Sequence, residues 1–210
     1  MNRPAIRIVG CGPGALDYLT PLAHRAIGEA EVLVGAKRLL DLFPQHLAER
    51  VVAGADVEAV LREIDRRRAG HKIAVLVTGD PGLSSLARPV LKRFGREACE
   101  VIPGISSVQA AFARIGVDWL DARIIDAHGA DPKVDFSALA DAAKIAVLGG
   151  RPESLRWVAG LARTLGTDYA IYCCEELTLP GEKVRAVQPA ELEKIEVSSR
   201  TIILLIRGSG

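Results

Sequence analysis

The chain has 210 residues, 49% of them apolar and few aromatic, which suits one large or two small domains with aliphatic cores and argues against disorder. A formal net charge of +1, with both signs spread along the length, leaves no basic footprint for nucleic acid or an anionic membrane. No apolar stretch reaches membrane-spanning length and the opening Met-Asn-Arg-Pro lacks the layout of a secretory signal, so a cytoplasmic location is expected.

In the first half, β-branched runs at 6–9, 32–35, 73–78 and 101–102 alternate with helical patterns, which predicts a parallel sheet covered by helices. Val57, Val60, Leu61 and Ile64 fall at i, i+3, i+4 and i+7 and predict a helix with one buried face, N-capped by Asp56 and stopped at Gly70. At its end, Arg66-Arg67-Arg68 reads as a solvated basic face that complements the helix dipole. From about Val117 the rhythm changes, with strand-like runs at 123–127, 145–148, 169–174, 183–187 and 201–206 and one long helix at 153–165. That crowding predicts a second α/β domain with a mixed sheet. The expected division is 1–116 and 117–210, joined at Gly116-Val117-Asp118. Cys11, Cys99, Cys173 and Cys174 lack CxxC spacing and read as reduced, mostly buried thiols, with no metal site expected.

Three segments could carry chemistry, each directly after a strand. Gly10-Cys11-Gly12-Pro13-Gly14 is a glycine-rich turn that lets main chain approach a ligand. An ordinary dinucleotide site would place a ribose-binding carboxylate after the second strand, and Ala36-Lys37-Arg38 stands there instead. Gly79-Asp80-Pro81-Gly82-Leu83 is either a good turn or a binding loop at a strand's carboxyl end. Pro103-Gly104-Ile105-Ser106-Ser107 opens a small-residue helix, with Ser106 either an N-cap or part of a site. Three glycine-bearing loops on one rim favour a site.

VGCGPG at 9–14, GDPG at 79–82 and PGISSVQAA at 103–111, in that order, resemble the tetrapyrrole methylase family over nearly the whole chain. Within it the sequence is most similar to the CbiE-type enzymes that methylate carbon 5 of precorrin-7 or cobalt-precorrin-7, through GAKRLL at 35–40, the run at 105–119, AHG at 127–129 and CCEELTLPGEKV at 173–184. The resemblance implies a two-domain α/β protein, usually a homodimer, that binds S-adenosylmethionine between its domains. It places Pro13, Asp80, Leu83, Ser106 and Ser107 at cofactor-contacting positions within those loops, beside Gly79 and Pro81, with Leu148 from the second domain. Most contacts would be made by main chain, so Gly82→Val is expected to weaken cofactor binding more than Asp80→Asn.

Methyl transfer from a sulfonium rests mainly on positioning and needs no covalent intermediate. His128 is either a poised acid or base or a hydrogen-bonded boundary residue. It departs from the CbiE-type pattern in its neighbours, Ala127 and Ala130, where a Ser and an Arg are frequent. Lys37 and Arg38 are either partners for the carboxylates of a corrinoid substrate or surface charges. The match runs over 6–207, which implies one methylation and leaves a second methylation, at C15, with decarboxylation to a separate partner enzyme. Alternative readings are another family member, such as a different corrin methylase, a diphthine synthase or a ribosomal RNA ribose methyltransferase, and a non-catalytic cofactor-binding regulatory module.

Overall fold

A computed structural model of the chain describes residues 5–196 and 198–208. Two compact units divide between Ser106 and Ser107.

The first unit runs β1 (Ile6–Gly10), α1 (Pro21–Gly28), β2 (Val32–Gly35), α2 (Lys37–Leu40), β3 (Glu49–Val52), α3 (Val57–Arg67), β4 (Ile73–Val77), α4 (Ala87–Phe94) and β5 (Cys99–Ile102). Its five strands pair in parallel in the order β3-β2-β4-β1-β5. The period-two alternation of strands sorts their side chains onto two faces. Ile6, Ile8, Val34, Val75 and Val77 meet Val60, Leu61 and Ile64 of α3 and Val90 of α4. Val9, Leu33, Ala74, Leu76 and Ile102 meet Ala23 and Ile27 of α1 and Leu39 and Leu40 of α2. Both faces are therefore dry, which is why the inner strands read as continuous apolar runs. Each fully buried Ile or Leu contributes about 1.5 to 3 kcal/mol against leaving it exposed.

One charge sits inside this sheet: Arg7 of β1, 7% exposed, bonds Glu29 at 2.9 Å just past α1 and pairs with Glu100 of β5 at 3.3 Å. The predicted N-cap holds, since the Asp56 carboxylate accepts the Ala59 N–H at 3.0 Å. The α3 helix ends at Arg67 rather than running to Gly70. The arginine run is a set of ion pairs: Arg66 with Glu63, Arg67 with Glu63 and with Glu49 of β3, and Arg68 with Asp65.

The second unit runs α5 (Ser107–Ile115), β6 (Arg123–Asp126), β7 (Lys144–Leu148), α6 (Pro152–Leu165), β8 (Tyr169–Glu175), β9 (Lys183–Val187), α7 (Pro189–Leu192) and β10 (Thr201–Arg207). Its strand order is β6-β7-β10-β8-β9, with β6 and β7 parallel and the other pairs antiparallel. Leu155, Val158, Ala159 and Ala162 of α6 cover Ile145, Val147, Ile171, Cys173 and Ile203 on one face. Helix α5 packs against β10 and therefore groups with this unit, ten residues ahead of the 116–118 junction expected from the sequence.

Among the described residues no helix is long and apolar enough to cross a membrane. All four cysteines are free and buried. Burial pushes the Cys11 and Cys174 thiols up to about 12 and Cys173 to about 11.

Candidate active site

The first unit's rim is made by the loops that leave β4, β1 and β5, which are neighbours in the sheet. Gly12 and Gly79 form an isolated bridge, the Gly79 N–H donating to the Gly12 carbonyl at 2.7 Å and the Gly12 N–H returning a bond at 3.3 Å. Both have positive φ, +73° and +67°, a region that glycine enters without steric cost. The third loop closes against the other two. A Cβ on Gly104 would stand 2.4 Å from the Gly79 carbonyl oxygen, and one on Gly10 would stand 2.6 Å from the Gly104 nitrogen. Main chain from all three loops is thus packed at distances that no side chain can share.

Asp80 pins this arrangement. Its Oδ1 accepts the Gly82 N–H at 2.8 Å, and its Oδ2 reaches across to the Gly104 N–H at 3.1 Å. One carboxylate oxygen therefore fixes its own loop and the other ties that loop to the third. The steric constraint falls on Gly10 and Gly104, while a Cβ on Gly82 would meet only Asp80 Oδ1, at 2.9 Å. The closest approaches of main chain therefore lie at Gly10 and Gly104 rather than at Gly82. Pro13 and Pro81 are buried beside the glycines, Leu83 is half-buried, and Ser106 is buried at the end of the third loop.

The two basic residues after β2 part company. Arg38 donates to Thr78 Oγ1 at 2.6 Å and so lies at the carboxyl end of β4, beside the loop that begins at Gly79. Its charge also acts on Cys11, opposing the larger effect of burial on that thiol. Lys37 points away into an exposed i, i+4 pair with Asp41 at 2.8 Å.

The remaining candidates belong to the second unit. Ser107 opens α5. Leu148 ends β7, in register with Asp126 of β6 and Ile202 of β10, and its carbonyl accepts the Ala127 N–H at 2.9 Å. His128 follows directly. Its ring Nδ1 lies 2.5 Å from Asp126 Oδ1, which also accepts the His128 N–H at 3.1 Å. Arg151, at the start of α6, donates to the Ala127 carbonyl at 3.2 Å and to Asp131 at 2.8 Å, fastening the same loop. Sequence reasoning missed Asp126 and Arg151. The Asp-x-His spacing was the available signal for the first, because an aspartate readily accepts an N–H two residues on.

On the same sheet, the segment after β8 is held in strained main chain: Glu176 and the β-branched Thr178 have φ of +49° and +69°. Glu182 fastens it, accepting from Arg114 Nε at 2.5 Å and from the Thr178 N–H at 2.5 Å. The Arg114 guanidinium is the main cause holding the Glu182 carboxyl below its ordinary value of 4.5.

Residues 5–193 match the family described as tetrapyrrole (corrin/porphyrin) methylases. The chain is 38% identical over 143 residues to the cobalt-precorrin-7 C(5)-methyltransferase of Salmonella typhimurium, covering 68% of this chain and 70% of that one. It is 32% identical over 204 residues to the probable cobalt-precorrin-7 C(5)-methyltransferase of Methanocaldococcus jannaschii, covering 94% and 95%. Among solved structures, the uroporphyrin-III C-methyl transferase from Thermus thermophilus, crystallised with S-adenosylhomocysteine, superposes with a TM-score of 0.79 at 22% identity over 96% of both chains, which shows a shared fold. With the glycine loops, the two sheets and a match over most of its length in agreement, the chain belongs to the tetrapyrrole methylase family, and it is a methyltransferase.

Proposed function

We propose that this chain methylates carbon 5 of cobalt-precorrin-7, using S-adenosylmethionine, during construction of the corrin ring of cobalamin. The observation that carries this reading is the near-full-length kinship with the probable cobalt-precorrin-7 C(5)-methyltransferase of M. jannaschii. The first unit's rim suits the donor: its loops keep side chains out at Gly10 and Gly104 and leave main chain to meet a ligand. S-adenosylmethionine, when bound, supplies an electrophilic methyl group. Pro13, Gly79, Asp80, Pro81, Leu83, Ser106 and Ser107 would hold it largely through main-chain groups, and Leu148 is the further candidate. Asp80 then serves the site through the loops it ties rather than through a free carboxylate.

Arg38 is the better placed of the two basic candidates for a substrate carboxylate, since a guanidinium binds carboxylates in a planar, two-pronged way and this one lies beside the loop that begins at Gly79. Lys37, engaged with Asp41 on the surface, is the weaker candidate. The same reading includes a homodimer, a cytoplasmic setting and a separate enzyme that methylates C15 and decarboxylates.

The test is product mass. Incubating the chain with S-adenosylmethionine and cobalt-loaded or metal-free precorrin-7 should replace one ring hydrogen by one methyl, with no loss of carbon dioxide. An unchanged ring would refute the activity. A product with two added methyls and one carbon dioxide lost would refute the division of labour. Light scattering at micromolar protein checks the dimer.

A further inference from the structure

We infer that Ser85 is a positioning residue for the methyl donor: its hydroxyl fixes the far end of the loop that carries Gly79, Asp80, Pro81 and Leu83, and so sets where that loop meets S-adenosylmethionine. This rests on the proposed seat of the donor on the first unit's rim. The near end of the loop is tied by other means. Gly79 is bridged to Gly12, the Asp80 carboxylate holds the Gly82 and Gly104 N–H groups, and the Leu83 N–H closes a turn on the Asp80 carbonyl at 3.1 Å. The passage from Leu83 into α4 needs its own anchor.

Helix α4 has no side-chain cap at its N-cap position, Leu86, whose backbone is already helical. Ser85, one residue earlier, supplies the connection. Its Oγ accepts the Ala87 N–H at 3.1 Å, one of the first-turn amides that a helix leaves without an internal partner. The same Oγ donates its hydrogen to the Pro81 carbonyl at 2.6 Å. A hydroxyl can do both at once, because it carries one hydrogen and two lone pairs. Between the two bonded segments Ser84 is held at φ +46°, a conformation that a non-glycine residue keeps only when its surroundings determine it.

The two ends of this bridge differ in stiffness, and the stiff end governs the other. Ala87 and Val90 of α4 are buried in the same core as Val75 and Val77 of β4, so the helix start is fixed by packing. Pro81 has no N–H, which leaves its carbonyl as its one main-chain hydrogen-bonding group, and Ser85 holds it. Fixing Pro81 fixes its neighbours Asp80 and Gly82, and with them the bonds that draw the loop to Gly104. Ser85 thus carries the position of the packed helix into the loop. It touches the loop and not the reacting atoms, so its effect falls on holding the donor and not on the transfer step.

A graded series decides it. In calorimetric titration Ser85→Ala should weaken S-adenosylhomocysteine binding about tenfold. Ser85→Cys, whose thiol is a weak donor and acceptor, should lose less, and Ser85→Thr, which keeps the hydroxyl, should stay within about twofold of wild type. In turnover Ser85→Ala should raise KM for S-adenosylmethionine by a similar factor and leave kcat at saturating donor within about twofold. Exchange of the Ala87 amide, read by NMR, should quicken in Ser85→Ala and not in Ser85→Thr. Asp56→Ala, which removes the cap of α3 instead, should lower stability and bind S-adenosylhomocysteine as wild type does. Should Ser85→Ala fail to fold, Ser85→Cys carries the same comparison. Wild-type affinity in Ser85→Ala, an equal loss in Ser85→Thr or in Asp56→Ala, or a lower kcat with an unchanged donor KM would overturn the inference. If the wild type itself does not bind S-adenosylhomocysteine, the donor reading fails and this inference fails with it; if it binds and Ser85→Ala binds equally, the donor reading stands alone.

Discussion

The rim of the first sheet is held by main chain and glycine, whereas the rim of the second is held by charged side chains. In the first, Gly10, Gly12, Gly79 and Gly104 touch through peptide groups, and Asp80 is the one carboxylate tying loop to loop. In the second, Asp126 with His128, Arg151 with Asp131, Arg200 with Glu176, and Arg114 with Glu182 do the fastening. A main-chain rim binds in one geometry and is intolerant of any added atom. A side-chain rim tolerates change of shape and is sensitive to charge. The two rims should therefore fail in different ways.

The largest effect is expected where a Cβ has no room. Gly104→Ala places a methyl 2.4 Å from the Gly79 carbonyl oxygen, so the loops must separate. A stability loss of about 2 to 4 kcal/mol is expected from this overpacking, together with a fall in S-adenosylhomocysteine affinity of about tenfold or more. Thermal unfolding and calorimetric titration check both. An unperturbed affinity would show that the contact between the loops is not what shapes the site.

Next comes Asp80. Asp80→Ala removes the acceptor from two amide N–H groups and should cost about 1 to 3 kcal/mol. Asp80→Asn, which keeps one acceptor oxygen, should cost less, and Gly82→Ala least of the three. Urea unfolding of the set gives the order, and Gly82→Ala proving the most damaging would show that the steric contact at Gly82 outweighs the two Asp80 hydrogen bonds.

On the second rim the signature is pH. Glu182 has a folded-state pKa below its ordinary value of 4.5 because Arg114 favours the ionised form. Its stabilisation is present in full above that ordinary value and is lost as pH falls through the lower folded value. Glu182→Gln should then be roughly 1 to 2 kcal/mol less stable than wild type at pH 7, with the gap closing as the medium is acidified. Denaturant midpoints at several pH values measure it, and a gap independent of pH would mean the bond to Thr178 matters and the charge does not.

The smallest effect is expected at Lys37. Its pair with Asp41 is 77% and 52% exposed, so Lys37→Ala should change stability by less than about 0.5 kcal/mol. Arg38→Ala is the paired measurement: it should raise KM for the ring substrate several-fold, and an equal rise in Lys37→Ala would erase the distinction between them.

Buried elements were the legible ones. Strand β2 matches its apolar run, because a pleated strand bounded by turn residues writes its limits in composition. Edge strand β3 was missed: Glu49-Arg50-Val51-Val52 is mostly exposed, and its two charges leave only a two-residue apolar run. The glycine loops were visible as a set, but which glycine is crowded depends on distances between segments far apart in the chain. The same is true of Arg38, whose turn toward Thr78 separates it from Lys37, although the two are neighbours in sequence. Local turn chemistry would have revealed Asp126 beside His128, and composition had no means of doing so.

The central place of β1 has a consequence for synthesis on the ribosome. The strand made first lies between β4 and β5, the two made last in its unit, with Ile6 in register with both Ile73 and Cys99. Its apolar residues must wait, solvent-exposed or held by a chaperone, until those later segments emerge. Gly104, which packs against Gly10 and the Gly79 carbonyl oxygen, comes later still, so this glycine-rich rim cannot close until its third loop has been made.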